Sequence, residues 1–294
     1  MEITSDVLIK RLSKGDETSS PVWGNSRVLR NSVVDGGYHR LEILESNVTK
    51  QSKPGQFVML SPPDGKERTL ILPRPMAIHR KHEKKGTFEV LFKIVGSGTA
   101  RLAQIQSGEE IYVLGPLGNG FQMPKVAKEV LLIGRGIGIC SIAPVAQEAQ
   151  KRQISITALL SSSKRSNCVG MQDFLDFQSE ILSVSDDTFS SEVGEVEKLL
   201  QDRFKSRKPE AIMVCGSKRL INLAAKLGGL WEISVQASLE AHMACGLGYC
   251  HGCSLASPII ADEESPLVCV DGPVFEVQWK SAGEVLSNNE LMDV

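Results

Sequence analysis

The order of apolar and polar positions divides the 294-residue chain into stretches of different rhythm. Between about 21 and 124, short apolar pieces such as Tyr38–Leu44, Gly55–Leu60, Thr87–Val95 and Glu110–Leu114 are separated by Gly, Pro and Lys. Short strand-like pieces with that punctuation predict an antiparallel barrel or sandwich. Beyond Pro124, apolar runs at Val130–Ile133, Ile154–Leu160 and Ala211–Val214 alternate with helical patterns at about 141–151, 195–206 and 218–228. That alternation predicts a parallel α/β sheet with crossover helices. Residues 237–280 are rich in Gly and Cys and too irregular for another such unit. The expected organisation is a partly ordered leader at 1–20, a β-barrel at 21–124, an α/β domain at 125–234, a small domain at 235–280 and a loose tail at 281–294.

Composition adds exclusions. With 41% hydrophobic and 23% charged residues the chain reads as a soluble globular protein, and a net charge of -2 gives no field for nucleic acid or anionic membrane. The first residues, MEITSDVLIKRLSKG, lack the apolar segment of a signal peptide, and no run approaches membrane-spanning length. The expectation is a cytoplasmic protein without nucleic-acid partners or membrane insertion.

Cysteine placement changes the picture more. Of seven cysteines, Cys245, Cys250, Cys253 and Cys269 fall within 25 residues. C-x4-C-x2-C followed by a distant fourth Cys is the plant-type [2Fe–2S] ferredoxin spacing, and Gly246, Gly248 and Gly252 allow backbone N–H groups to approach the sulfurs. A structural zinc site is the rival, although zinc ribbons present two short Cys-x-x-Cys knuckles and only Cys250/Cys253 forms one here. Cys140, Cys168 and Cys215 read as small buried apolar side chains.

Three weaker signals point to phosphate. Arg74-Pro75-Met76-Ala77 pairs a guanidinium with an extended backbone; Leu91-Phe92-Lys93 follows; then a Gly98-Thr99 turn opens a helix-like stretch, Ala100–Gln106. Gly134–Ser141 is a Gly-rich turn between strand and helix. Arg-Pro alone is more often an exposed turn, and Gly-Ser-Gly-Thr alone more often a loop, than a phosphate site.

In this order, these pieces resemble the dihydroorotate dehydrogenase electron-transfer subunit family of the ferredoxin–NADP reductase superfamily. The resemblance runs colinearly over about 21–280. It includes Gly115-Pro116-Leu117-Gly118-Asn119-Gly120-Phe121, Gly136-Ile137-Gly138, Cys215-Gly216, Ser238-Leu239-Glu240, and the cysteine block ending in Asp271-Gly272-Pro273-Val274-Phe275. It implies a flavin-binding barrel, an NAD(P)-binding α/β domain and a small [2Fe–2S] domain. FAD is then expected on Arg74, Pro75, Met76, Ala77, Leu91, Phe92, Lys93, Gly98 and Thr99, and nicotinamide nucleotide near Gly136, Gly138 and Cys215. The cluster is expected on the four cysteines.

The implied function is passage of electrons from NAD(P)H through FAD and the cluster to a catalytic flavoprotein subunit in pyrimidine synthesis. Lys164-Arg165 reads as a solvated loop rather than a 2′-phosphate reader, which keeps NADH ahead of NADPH. Two other readings stay open: a paralogue serving another reductase, and a relay subunit without a nicotinamide site. Ala77 stands where the family usually carries Ser, and Arg135 interrupts a run usually built of Gly. Cys245 separates the chain from the small subunit of NADH-dependent ferredoxin:NADP oxidoreductase, which has Asp there. No acid–base residue for substrate chemistry stands out. His79, His82, His242 and His251 are expected to be exposed or incidental, with His251 a possible partner contact.

Overall fold

The structure, a computed structural model, describes residues 7–12, 20–62, 72–255 and 265–280. The rest of the expected leader and the expected tail at 281–294 lie outside them. In chain order the elements are β1 (Val7–Arg11), β2 (Val22–Val34), β3 (Tyr38–Leu44), α1 (Ser46–Gln51), β4 (Phe57–Ser61), β5 (Arg74–Ala77), β6 (Arg80–His82), β7 (Thr87–Phe92), α2 (Ser97–Gln104) and β8 (Glu110–Leu117). Then come β9 (Glu129–Arg135), α3 (Ile139–Lys151), β10 (Ser155–Ser162), α4 (Met171–Asp176), β11 (Glu180–Ser185), α5 (Val193–Arg203), β12 (Ala211–Cys215), α6 (Lys218–Trp231), β13 (Ser234–Ser238) and β14 (Val274–Trp279).

Strands β5-β4-β8-β2-β3-β7-β6 form an antiparallel sheet in that spatial order. It curls because residues 78 and 79 tie its two edges together. The Ile78 N–H donates to the Gln56 carbonyl at 3.1 Å, and that of His79 to the Glu89 carbonyl at 2.8 Å. Alternation drives the packing. Val58 and Leu60 point into the barrel with Val28, Leu41, Phe88 and Val113, while Phe57 and Met59 point outward.

The second sheet runs β1-β14-β13-β12-β9-β10-β11, parallel from β13 to β11. The antiparallel β14 and β1 complete it, with Val7 opposite Trp279 and Ile9 opposite Val277. Residues 7–11 thus supply an edge strand, and residues 274–279, within the stretch that looked too irregular, supply its neighbour. Both alternate: Val7, Ile9, Phe275 and Val277 are buried.

One apolar core spans all three expected parts. Phe57, Met59 and Leu117 from the outer barrel face join Leu220, Leu223 and Ala224 of α6 with Leu255, Val268 and Cys269 of the cysteine-rich segment. Burying each large side chain contributes about 1.5–3 kcal/mol, so the parts stabilise one another. The Gly115–Phe121 motif joins them: Asn119 Nδ2 donates to the Val270 carbonyl at 3.0 Å and the Asp271 carbonyl at 3.1 Å. Among the described residues no helix is long and apolar enough to cross a membrane.

Candidate functional site

Between the sheets lies a cleft of about 550 Å³, within the range of small-molecule sites. Arg74, Pro75, Met76 and Ala77 on β5 line one wall; Leu91, Phe92 and Lys93 at the end of β7 line the next, with Thr99 of α2 at its end. The opposite wall comes from Ile137, Cys140 and Ser141 at the start of α3. Lys93 Nζ sits 5.2 Å from the centre of the Tyr38 ring, which also lines the cleft.

Helix α2 begins at Ser97, so Gly98 and Thr99 lie inside its first turn rather than ahead of a helix at 100–106. Thr99 explains the earlier start: its Oγ1 accepts the N–H groups of Val95 at 2.9 Å and Gly96 at 3.2 Å. Gly98 leaves room for the arginine. An added Cβ would stand 2.2 Å from Arg74 Nε. A guanidinium laid over a helix N-terminus suits a pyrophosphate. The cleft wall is more apolar than polar, with these donors among its lining, a combination that suits a flavin dinucleotide.

The Gly-rich turn serves packing as well as access. A Cβ on Gly138 would lie 2.7 Å from the Cys215 carbonyl carbon, whereas Gly136, at φ +56°, faces open space. Cys215 is fully buried and hydrogen-bonds Ser141 and Ser238, both on the cleft wall; burial pushes its thiol up to about 12. It backs the cleft rather than lining it. Arg135 turns along the carboxyl ends of the strands, reaching Ser161 Oγ at 2.8 Å and Asp186 at 2.7 Å. Arg219 meets the same carboxylate at 3.2 Å. Arg135 therefore neither blocks the cleft nor points into it. Lys164 and Arg165 are exposed.

The four clustered cysteines sit as two pairs. Cys253 Sγ lies 3.2 Å from Cys269 Sγ, both buried, and Cys245 hydrogen-bonds Cys250 nearer the surface. Two sulfurs for each of two irons is what a [2Fe–2S] centre needs. The backbone is turned toward the sulfurs: Leu247 and Cys250 donate N–H groups to Cys245 Sγ at 3.4 Å, and Gly248 to Cys269 Sγ at 3.2 Å. Burial raises the Cys245 thiol, yet these donors win and pull it down to about 7; burial and the Cys253 sulfur push Cys269 up to about 12. Bringing sulfurs so close opposes their ionisation, and bound iron would relieve that opposition. Gly246 at φ +72° and Gly248 at φ +80° adopt the left-handed turns needed; Cβ atoms there would lie 2.7 Å from Met59 and Val270.

Sequence reasoning missed two features. Met243 lines the cleft two residues before Cys245, so the cleft wall leads directly into the sulfur loop. Glu240 shares that wall, and desolvation pushes its carboxyl up, although its side chain reaches the cleft mouth. His79 is not exposed, one of the two states expected of it. It is fully buried, 2.9 Å from Asp173, because a carboxylate from the other sheet meets it.

A sequence profile of the iron–sulfur cluster binding domain of dihydroorotate dehydrogenase B matches residues 240–278. The dihydroorotate dehydrogenase B electron transfer subunit of Fusobacterium nucleatum is 31% identical over 259 residues, covering 84% of this chain and 94% of that one. Its counterpart in Desulforamulus reducens is 27% identical over 259 residues, covering 87% and 98%. Among solved structures, a chain of an NADH-dependent reduced ferredoxin–NADP oxidoreductase superposes with a TM-score of 0.69 at 23% identity, covering 86% of this chain and 90% of that one. Ferredoxin–NADP+ reductase from Plasmodium falciparum gives 0.54 at 15% identity, covering 70% and 89%.

Proposed function

The chain belongs to the electron-transfer subunit family of dihydroorotate dehydrogenase B, and from that premise we propose that it relays electrons from NADH to a catalytic partner subunit in pyrimidine synthesis. The observation that carries this is the continuity from cleft to sulfur pairs through Ser238–Cys245. A flavin held by Arg74, Gly98 and Thr99 would supply the conversion of a two-electron hydride into single electrons, which a [2Fe–2S] centre on the four cysteines would take one at a time.

The chain's own residues hold and orient. Arg74, with the N-terminal turn of α2 around Gly98 and Thr99, takes the pyrophosphate; Pro75, Met76, Ala77, Leu91, Phe92 and Lys93 form the walls; Cys245, Cys250, Cys253 and Cys269 hold the iron. Gly136 and Gly138 shape the turn for the nicotinamide nucleotide, and Cys215 supports Ser141 and Ser238 from behind. Adjacent carboxylates at Asp186 and Asp187 already engage Arg135, Arg219 and the Arg165 N–H. NADH rather than NADPH as the donor accords with the names of the related electron transfer subunits, which carry NAD(+).

The partner docks over the cysteine loop. Tyr249 is 92% exposed, with Leu247 and Val270 also exposed, beside the outward Cys245/Cys250 pair. Exposed apolar side chains grouped at an electron exit suit a protein interface. Ala77, which lines the cleft without a hydroxyl, favours a second reading in which the chain serves another reductase.

The test is anaerobic purification with metal, sulfide and flavin analysis. Two irons, two sulfides and about one FAD per chain are expected, with NADH reducing artificial acceptors and no dihydroorotate conversion by the chain alone. Stoichiometric zinc without sulfide would overturn the cluster; dihydroorotate turnover without a partner would overturn the subunit role. Failure to bind a dihydroorotate dehydrogenase catalytic subunit would favour the second reading.

A further inference from the structure

Asp173 lies on the first turns of α4, in the α/β sheet's layer, yet its carboxylate is held by the barrel. Arg40 of β3 donates to both oxygens, at 3.1 and 2.6 Å; His79 lies at 2.9 Å from one oxygen; Arg80 of β6 reaches the other at 2.9 Å. Asp173 is 2% exposed and His79 fully buried. Glu89 of β7, also 2% exposed, completes the group by accepting from Arg40 at 2.9 Å and facing His82 at 2.9 Å.

Such an assembly is poor evidence for stability, because desolvating these charges offsets most of their attraction. Its best-attested use is to fix one arrangement among several that an apolar contact would tolerate. The neighbouring contacts serve the same end. Gln147 of α3 exchanges two hydrogen bonds with the Lys81 backbone, at 3.0 and 2.7 Å, and Arg80 packs 4.9 Å from the centre of the Phe177 ring just after α4.

What is fixed follows from strand register. Arg40 stands opposite Leu91 in the β3–β7 ladder, and Arg80 opposite Glu89 in the β6–β7 ladder. Side chains two apart on a strand share a face. Tyr38 and Arg40 therefore share one face, as do Glu89 and Leu91. Tyr38 and Leu91 line the cleft; one step further along, Arg40 grips Asp173 and is itself braced by Glu89. Leu91 also packs against Cys140 at the start of α3 and Val169 in the segment leading to α4. The charged group is thus the continuation of the cleft wall, at its boundary with the α/β layer.

We propose that Asp173 is a positioning residue: by clamping α4 and the segment before it to the barrel, it sets the approach of nicotinamide nucleotide to the flavin face of the cleft. This rests on the donor and flavin reading above. The nucleotide's adenosine half would be bound by the α/β layer alone. Releasing the clamp should therefore lower the maximal rate of flavin reduction more than it weakens binding, since misplacing reacting atoms by about 1 Å costs on the order of 100-fold in rate.

The test uses the full chain with its FAD, comparing wild type with Asp173→Asn in two measurements. Hydrogen exchange over 163–176 and 79–82, without nucleotide, should quicken in the variant. Anaerobic stopped-flow should show the limiting rate of flavin reduction by NADH falling roughly 10–100-fold, with the half-saturating concentration changing less than about threefold. Unchanged exchange, or a wild-type limiting rate, overturns the proposal, as does an equal loss in both kinetic terms. Should Asp173→Asn fail to fold or keep FAD, Arg80→Gln, at a half-buried position, takes its place with the same split expected at smaller size and the same overturning results. Wild type that neither NADH nor NADPH reduces would fault the donor reading, and the exchange measurement would still decide the clamp.

Discussion

Cys253→Ser is expected to strip the protein of its two-iron centre while the flavin stays bound. The sulfur of Cys253 is buried, 3.2 Å from that of Cys269, and does not line the cleft. Serine offers a weakly acidic hydroxyl in place of a thiolate, and its shorter bond places the oxygen away from the sulfur's position. Iron and acid-labile sulfide should both fall more than roughly tenfold, by the standard of lost metal ligands and their supports. Cys168→Ser, at an equally buried thiol outside the group, should keep its full iron content. Delivery to one-electron protein acceptors should disappear in the first variant, while reduction of the flavin by NADH persists. A Cys253→Ser protein with wild-type iron and sulfide would remove Cys253 from the ligand set.

Arg74→Ala is expected to weaken FAD binding about 10–150-fold, equivalent to roughly 1.5–3 kcal/mol for a charge-assisted contact. The same loss should follow from Gly98→Ala by another route. Gly98 is not in a left-handed conformation, so alanine brings no backbone strain; its methyl instead occupies the space of the guanidinium, 2.2 Å from Nε. The arginine must move away from the helix N-terminus. Flavin affinity measured by fluorescence on apoprotein reconstituted with FAD checks both. If Gly98→Ala binds FAD normally while Arg74→Ala does not, Arg74 binds from a different rotamer; if neither changes, the pyrophosphate lies elsewhere.

Much of this architecture was legible in the sequence where the signal was local. Strand β3 was expected at Tyr38–Leu44 and stands there, because its alternation is complete within seven residues. The cysteine spacing is likewise a local statement about a single loop, and the loop gathers its sulfurs in two pairs. What escaped notice depends on distant partners. Strand β1 is five residues of ordinary alternation that mean little until β14 lies beside them. His79 looked incidental because its partner is distant in the chain: Glu83, four residues on, pairs with Lys151, and the carboxylate that meets His79 comes from Asp173, 94 positions later. Where Arg135 points was not legible for the same reason, since Asp186 decides the direction of its guanidinium.

The pairing of β1 with β14 also constrains how the chain acquires its shape during synthesis. Lys10 Nζ meets Gln278 Oε1 at 2.7 Å, a separation of 268 positions. A ribosome needs on the order of tens of seconds to make that stretch, while the barrel and the five parallel strands can assemble as they emerge. Throughout that interval residues 7–11 wait without a strand to pair with, and the buried side chains of Val7 and Ile9 stay uncovered. Among the described residues the last β-strand to be translated must therefore complete the sheet for the first, so truncation before Val274 should release β1 as well.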